Sequence, residues 1–125
     1  MSAQNQPTTH LGRVAAILGV SDIHRSYELY SSIFGFEKTF ENGDPVGFMI
    51  LKKDDAELHL SLQRGYKAPA FNVAHMMVSD AEEVYRACER HGLRIIKRLK
   101  VHDYGLKAFV FADLDGNRID VGEAV

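Results

Sequence analysis

The spacing of apolar residues along this chain changes twice, in the same order each time. Over residues 13–20 nearly every position is apolar, the pattern of a strand covered on both faces. From Ile23 the period lengthens, and Ile23, Tyr27, Tyr30 and Phe34 form the stripe of a helix. Ser21 or Asp22 is placed to cap its start, and Gly35 to stop it in a left-handed conformation. Residues 36–40 predict a short strand that ends at the turn signal Asn42-Gly43-Asp44-Pro45. Residues 46–51 and 56–62 predict a hairpin across Lys53-Asp54-Asp55. The order then returns, with a strand over 71–78 and a helix over 81–91 that Ser79-x-x-Glu82 would open as a capping box. Strands over 95–101, 106–112 and 117–122 complete the pattern, the last two joined at Asp115-Gly116.

The repeat is written into the residues themselves. Val20-Ser21-Asp22 recurs as Val78-Ser79-Asp80, 58 positions later (78 − 20), and Tyr27 and Tyr85 occupy matched places. A period near half the chain implies two similar modules, since a solenoid needs at least three repeats. The expected fold is α+β, with paired βαβββ modules that form a cupped sheet around a concave cleft. Residues 1–12 are expected to be a flexible tail and 13–125 a single domain. Its modules would be 13–62 and 71–125, with 63–70 as the linker.

Composition narrows the function. Hydrophobic residues make up 46% of the chain and charged residues 26%, ordinary values for a globular protein. A formal net charge of −2 gives no electrostatic footprint for nucleic acid. No apolar run approaches the ~20 residues needed to cross a bilayer, and the first ten residues lack the basic and apolar regions of a signal peptide. Cys88 is the only cysteine, so no intramolecular disulfide can form and a cytoplasmic location is expected. Placed mid-helix, it reads as a packed core thiol. No Gly-rich phosphate loop, nucleophile elbow or His-Glu-x-x-His pair is present.

Strand parity selects the candidate site. Side chains alternate between faces, so Leu58, Leu60, Ile119 and Val121 pack under the helices while His59 and Asp120 face the concave side. Matching Phe48 with Phe109 places Phe48, Ile50, Phe109 and Phe111 on that side as an apolar lining. Ala15, Ile17, Val73, His75 and Met77 join them by the same parity. Tyr66 and Tyr104 stand on glycine-containing loops, where a ligand contact is as reasonable as packing. His59 reads either as a hydrogen-bonded histidine in a wet cleft or as a ligand contact. Asp120 either orients that imidazole or makes a structural hydrogen bond. Lys107 and Arg118 are read as charges at the cleft mouth or as solvated strand ends. His91 reads as a contact with its helix end.

Three segments carry a resemblance: Tyr30-x-x-x-Phe34-Gly35-Phe36, Ala56-Glu57-Leu58-His59-Leu60, and the closing run from Asp113 to Glu123. On these the chain resembles the vicinal oxygen chelate superfamily, which includes glyoxalase I, extradiol dioxygenases, fosfomycin resistance enzymes and bleomycin resistance proteins. The resemblance implies divalent-metal ligands on the first, fourth, fifth and eighth strands, which here fall at Ala15, His59, Val73 and Asp120. Two of those four are apolar and donate no lone pair, whereas a transition-metal site usually takes three protein ligands or more. The pattern is therefore closest to bleomycin resistance proteins. That likeness implies a homodimer with clefts between subunits and no metal, cofactor or catalysis.

The expected function is sequestration of an aromatic or antibiotic-like small molecule. The expected ligand contacts are Phe48, Ile50, His59, Tyr66, His75, Met77, Tyr104, Phe109 and Asp120. The chain has no Trp and only a mildly negative charge, which separates it from acidic, Trp-bearing bleomycin binders. The alternative is a metal-dependent lyase, isomerase or dioxygenase with a reduced set of His59, Asp120 and His75.

Overall fold

A computed structural model describes residues 6–125, and residues 1–5 of the expected tail lie outside them. The first module contains β1 (Ala16–Val20), α1 (Ile23–Phe34), β2 (Glu37–Asn42), β3 (Phe48–Lys53) and β4 (Ala56–Leu62). The second contains β5 (Asn72–Met77), α2 (Ala81–Arg90), β6 (Arg94–Val101), β7 (Leu106–Ala112) and β8 (Arg118–Ala124). Each module forms one four-stranded sheet, ordered β1-β4-β3-β2 and β5-β8-β7-β6. In both, the module's first strand runs parallel to its fourth, and the other pairings are antiparallel. The two βαβββ units expected from the repeat are present.

The helices follow their caps. Asp22 accepts from the Arg25 amide, and the chain leaves α1 through Gly35 at φ 85°, a conformation open to glycine at little cost. For α2 the cap is Asp80, which accepts from the Glu83 amide, and not the expected Ser79. The carboxylate one residue further on reaches the first-turn amide, which matches the way Asp22 caps α1 and keeps the repeat in phase.

Both helices share one core with both sheets. Leu18, Leu51, Leu58 and Leu60 of the first module and Phe109, Phe111, Ile119 and Val121 of the second are buried together with Tyr30, Val84 and Cys88. The Phe34 ring of α1 lies 6.2 Å from that of Phe111 on β7, so the modules interlock through their helical sides. β1 touches β5 without hydrogen-bonding to it, and the sheets stay separate. Each sheet therefore keeps a second face turned away from the shared core. Among the described residues, no helix is long and apolar enough to cross a membrane.

The Asp113–Asn117 turn fastens the modules together. Tyr30 on α1 donates its hydroxyl to Asp113 at 2.7 Å. The Asn117 amide donates to the Gly19 carbonyl at 2.9 Å, and Ser21 donates its hydroxyl to Asp115 at 2.6 Å. Asp113 also accepts from the backbone amides of Asp115 and Asn117. Every polar atom of this buried cluster has a partner, as low-dielectric surroundings demand.

Candidate functional site

The candidate site is built on the sheet faces that the core does not use. In the first sheet, register places Ile17 and Ile50 on either side of His59, with Phe48 opposite Ser61 and Phe40 opposite Ile50. Phe48, Ile50 and His59 thus share the open face, as strand alternation predicts. The surface is apolar: Ile17 is 64% exposed and Phe40 49%, and Phe48 meets Phe40 and His59 edge to face at 6.3 and 5.4 Å. Apolar side chains this accessible do not contribute to the core.

His59 is held by a residue the sequence reading passed over. Its Nε2 lies 2.7 Å from Glu57 Oε2. A carboxylate only accepts, so Nε2 carries the proton and Nδ1 of the neutral ring is left as an acceptor. Glu57 is itself gripped by Arg13 Nε at 2.6 Å and Lys52 Nζ at 3.5 Å, and its side chain is only 5% exposed. The hydrogen bond from His59, reinforced by Arg13 and Lys52, holds the Glu57 carboxyl below the usual carboxylate range. The signal was available in the sequence. Glu57 lies two residues before His59, on the same face of one strand.

The open face of the second sheet is more polar. His75 lies opposite Asp120, which lies opposite Val110, which lies opposite Lys97. His75 donates Nδ1–H to Asp120 Oδ2 at 2.6 Å, and its Nε2 is 3.3 Å from Met77 Sδ. Met77 is 53% exposed on the same face. Tyr104, in the loop between β6 and β7, is 67% exposed and stacks on His102 at 4.9 Å.

Several expected placements are corrected. Phe109 and Phe111 are buried in the core, opposite Val121 and Ile119, and Phe109 packs edge to face on Tyr85 of α2 at 5.0 Å. Register makes Val110 the counterpart of Ile50, so matching Phe48 with Phe109 was one residue out, and a slip of one moves every side chain to the other face. Tyr66 is a strap between modules. Its hydroxyl donates to Asn117 at 2.6 Å and its ring lies so close over Gly19 that a Cβ there would overlap it. His59 and Asp120 do not pair: each is bonded to a neighbour in its own sheet. Lys107 lies opposite Glu123, whose carboxylate accepts from the first amide of α2, so this pair is on the core side. Arg118 reaches the Ala70 carbonyl at 3.4 Å. His91 contacts the Ala87 carbonyl at 2.9 Å, the helix-end contact expected of it.

The divalent metal of the enzymes that this chain resembles does not fit the residues present. His59 with Glu57 and His75 with Asp120 are separate pairs on separate sheets. Ala15 and Val73 carry no donor, and no group of three His, Cys, Asp or Glu is gathered among the described residues. A cavity of about 1090 Å³ opens beside the starts of β1 and β4 and the end of β5, where Val14, Ala15, Glu57, Val73 and His75 contribute to its wall.

Comparison with known proteins agrees with this architecture. No match was found among curated proteins. Among solved structures, a bleomycin-binding protein complexed with bleomycin superposes with a TM-score of 0.74 at 22% identity, covering 92% of this chain and 100% of that one. The fosfomycin resistance protein FosX from Listeria monocytogenes gives 0.79 at 11% identity, covering 94% and 96%. TioX from Micromonospora sp. ML1 gives 0.74 at 16% identity, covering 91% and 99%. These likenesses establish the fold. The family model for the Glyoxalase/Bleomycin resistance protein/Dioxygenase superfamily matches residues 10–121, and the chain belongs to that superfamily.

Proposed function

We propose that this protein is a cytoplasmic homodimer that binds an aromatic small molecule without transforming it. The ligand would lie between the first sheet's open face of one copy and the second sheet's open face of the other. The observation that carries this reading is the apolar surface of exposed Ile17 and Phe40 and half-buried Phe48 and Ile50 around the imidazole of His59 that Glu57 holds. Small-molecule sites are built this way, from an apolar wall with a few oriented polar groups.

The cavity of about 1090 Å³ in one chain reaches Glu57 and His75 but neither His59 nor Asp120, so one chain alone does not enclose these two groups in a common cleft. A second copy related by a two-fold axis would set the apolar wall of one subunit against the His75–Asp120 wall of the other. Stacking and edge contacts to Phe48 and Phe40 supply affinity, and the His59 Nδ1 acceptor supplies orientation. Two donor pairs on separate sheets favour sequestration over metal-assisted chemistry.

Calorimetric titration with bleomycin, 8-anilinonaphthalene-1-sulfonate and uncharged 1-naphthol tests the proposal. Binding of at least one compound, weakened in Phe48→Ala and His59→Ala, is the expected result. Absence of heat with all three would refute it.

A further inference from the structure

Lys97 is a cation with no carboxylate partner among the described residues. Register places it opposite Val110, and Val110 opposite Asp120, so Lys97 and Asp120 stand on one face with one strand between them. At about 4.8 Å per strand their backbones are roughly 10 Å apart, near enough for the two head groups to address one small molecule. Asp120 gives one carboxylate oxygen to His75, and the other has no hydrogen bond among the described residues. Between these two charges lies a cavity of about 130 Å³, floored by Ala108 and Val110, edged by Asn72, and walled by His102 and Tyr104. The His102 and Tyr104 rings are nearly parallel, 13° apart, and the tyrosine is largely exposed.

We propose that this cavity receives the ammonium–carboxylate end of an aromatic α-amino acid or of a molecule that ends in one. Lys97 pairs with the carboxylate, helped by the Asn72 amide, and Asp120 pairs with the ammonium. The chemistry selects this class because the cavity presents one charge of each sign across a short apolar floor. A simple anion would leave Asp120 facing it, and a simple cation would leave Lys97 facing it. The volume suits a head group and not a whole drug, and Tyr104 offers its ring to the aromatic body beyond. The assignment rests on the small-molecule reading above and specifies which compounds the second sheet would choose.

Calorimetry on the full chain with L-phenylalanine, 3-phenylpropionate and 2-phenylethylamine reads each charge separately. L-Phenylalanine should bind about tenfold tighter than either analogue, the scale of one charge-assisted hydrogen bond. Lys97→Met should reduce L-phenylalanine to the affinity of 2-phenylethylamine, and Asp120→Asn should reduce it to that of 3-phenylpropionate. Circular dichroism should show both variants folded, since Lys97 is exposed and the Asn is isosteric. Equal affinity for the three compounds, or a preference unmoved by either variant, overturns the proposal. If 1-naphthol still binds in that case, the broader reading stands and only the head-group assignment fails. If no aromatic compound binds, both fail.

Discussion

The Tyr30 hydroxyl donates to Asp113 across 2.7 Å, joining the first helix of one module to the closing turn of the other, 83 positions away in sequence. Both groups are buried. Tyr30→Phe should keep the packing and remove one hydrogen bond to a buried carboxyl, a loss of about 1.5–3 kcal/mol. Urea denaturation should show a lower midpoint with an unchanged slope. An unchanged midpoint would mean that the modules do not depend on this contact.

Burial pushes the Asp113 carboxyl above its ordinary value, against the opposing effect of the hydrogen bonds it accepts from Tyr30, Asn117 and Asp115. The folded state therefore holds this proton more tightly than the unfolded chain does. That contribution to stability is fully present below the ordinary carboxylate value of ~3.9 and is lost as pH rises through the folded value. Asp113→Asn should remove this component. The stability difference between wild type and variant should shrink as pH rises from ~3.9 through the folded value and stay flat above it. Urea midpoints across the acid range check it, and parallel profiles would contradict it.

Gly19 and Tyr66 are coupled by space. An added Cβ at Gly19 would overlap the Tyr66 ring, whose hydroxyl holds Asn117. Gly19→Ala should cost about 1–3 kcal/mol by overpacking and by displacing that strap. In Tyr66→Ala the same substitution should cost much less. The four melting curves of this double-mutant cycle give the coupling directly, and additive effects would show that the ring moves freely.

The Cys88 thiol is buried, and burial with the nearby Glu89 pushes it up to about 12. It should be inert to iodoacetamide at neutral pH and react only when the chain opens. Its alkylation rate should rise with urea in step with the unfolding transition. Rapid alkylation of the folded protein would mean that α2 is less firmly packed than the core indicates.

Legibility from the sequence depended on how local the cause was. The repeat, both helices and the β3–β4 hairpin followed from periodicity, because each pattern is set by neighbours a few positions apart. Asp22 and Gly35 were recognisable as helix ends for the same reason. Phe109 was assigned to the wrong face because matching the two hairpins left a one-residue ambiguity that alternation could not resolve. Lys97 was missed because irregularities at Ile95/Lys97 and Lys97/Lys100 break the alternation of β6. The partners of Tyr66, Ser21 and Tyr30 are many positions distant, and nothing local announces them. His59 with Glu57 lay within one strand and was there to be read.

The central claim is that each binding site combines the His59 face of one copy with the Asp120 face of another, and subunit mixing tests it most directly. His59→Ala and Tyr104→Ala, the latter on the Asp120 face, should each form dimers that bind 8-anilinonaphthalene-1-sulfonate more weakly. Mixed and allowed to exchange, half of the dimers carry both variants, and each of those regains one unaltered cleft. The mixture should recover about a quarter of the wild-type sites by fluorescence titration. No recovery after demonstrated subunit exchange, or a protein that stays monomeric, would contradict the account.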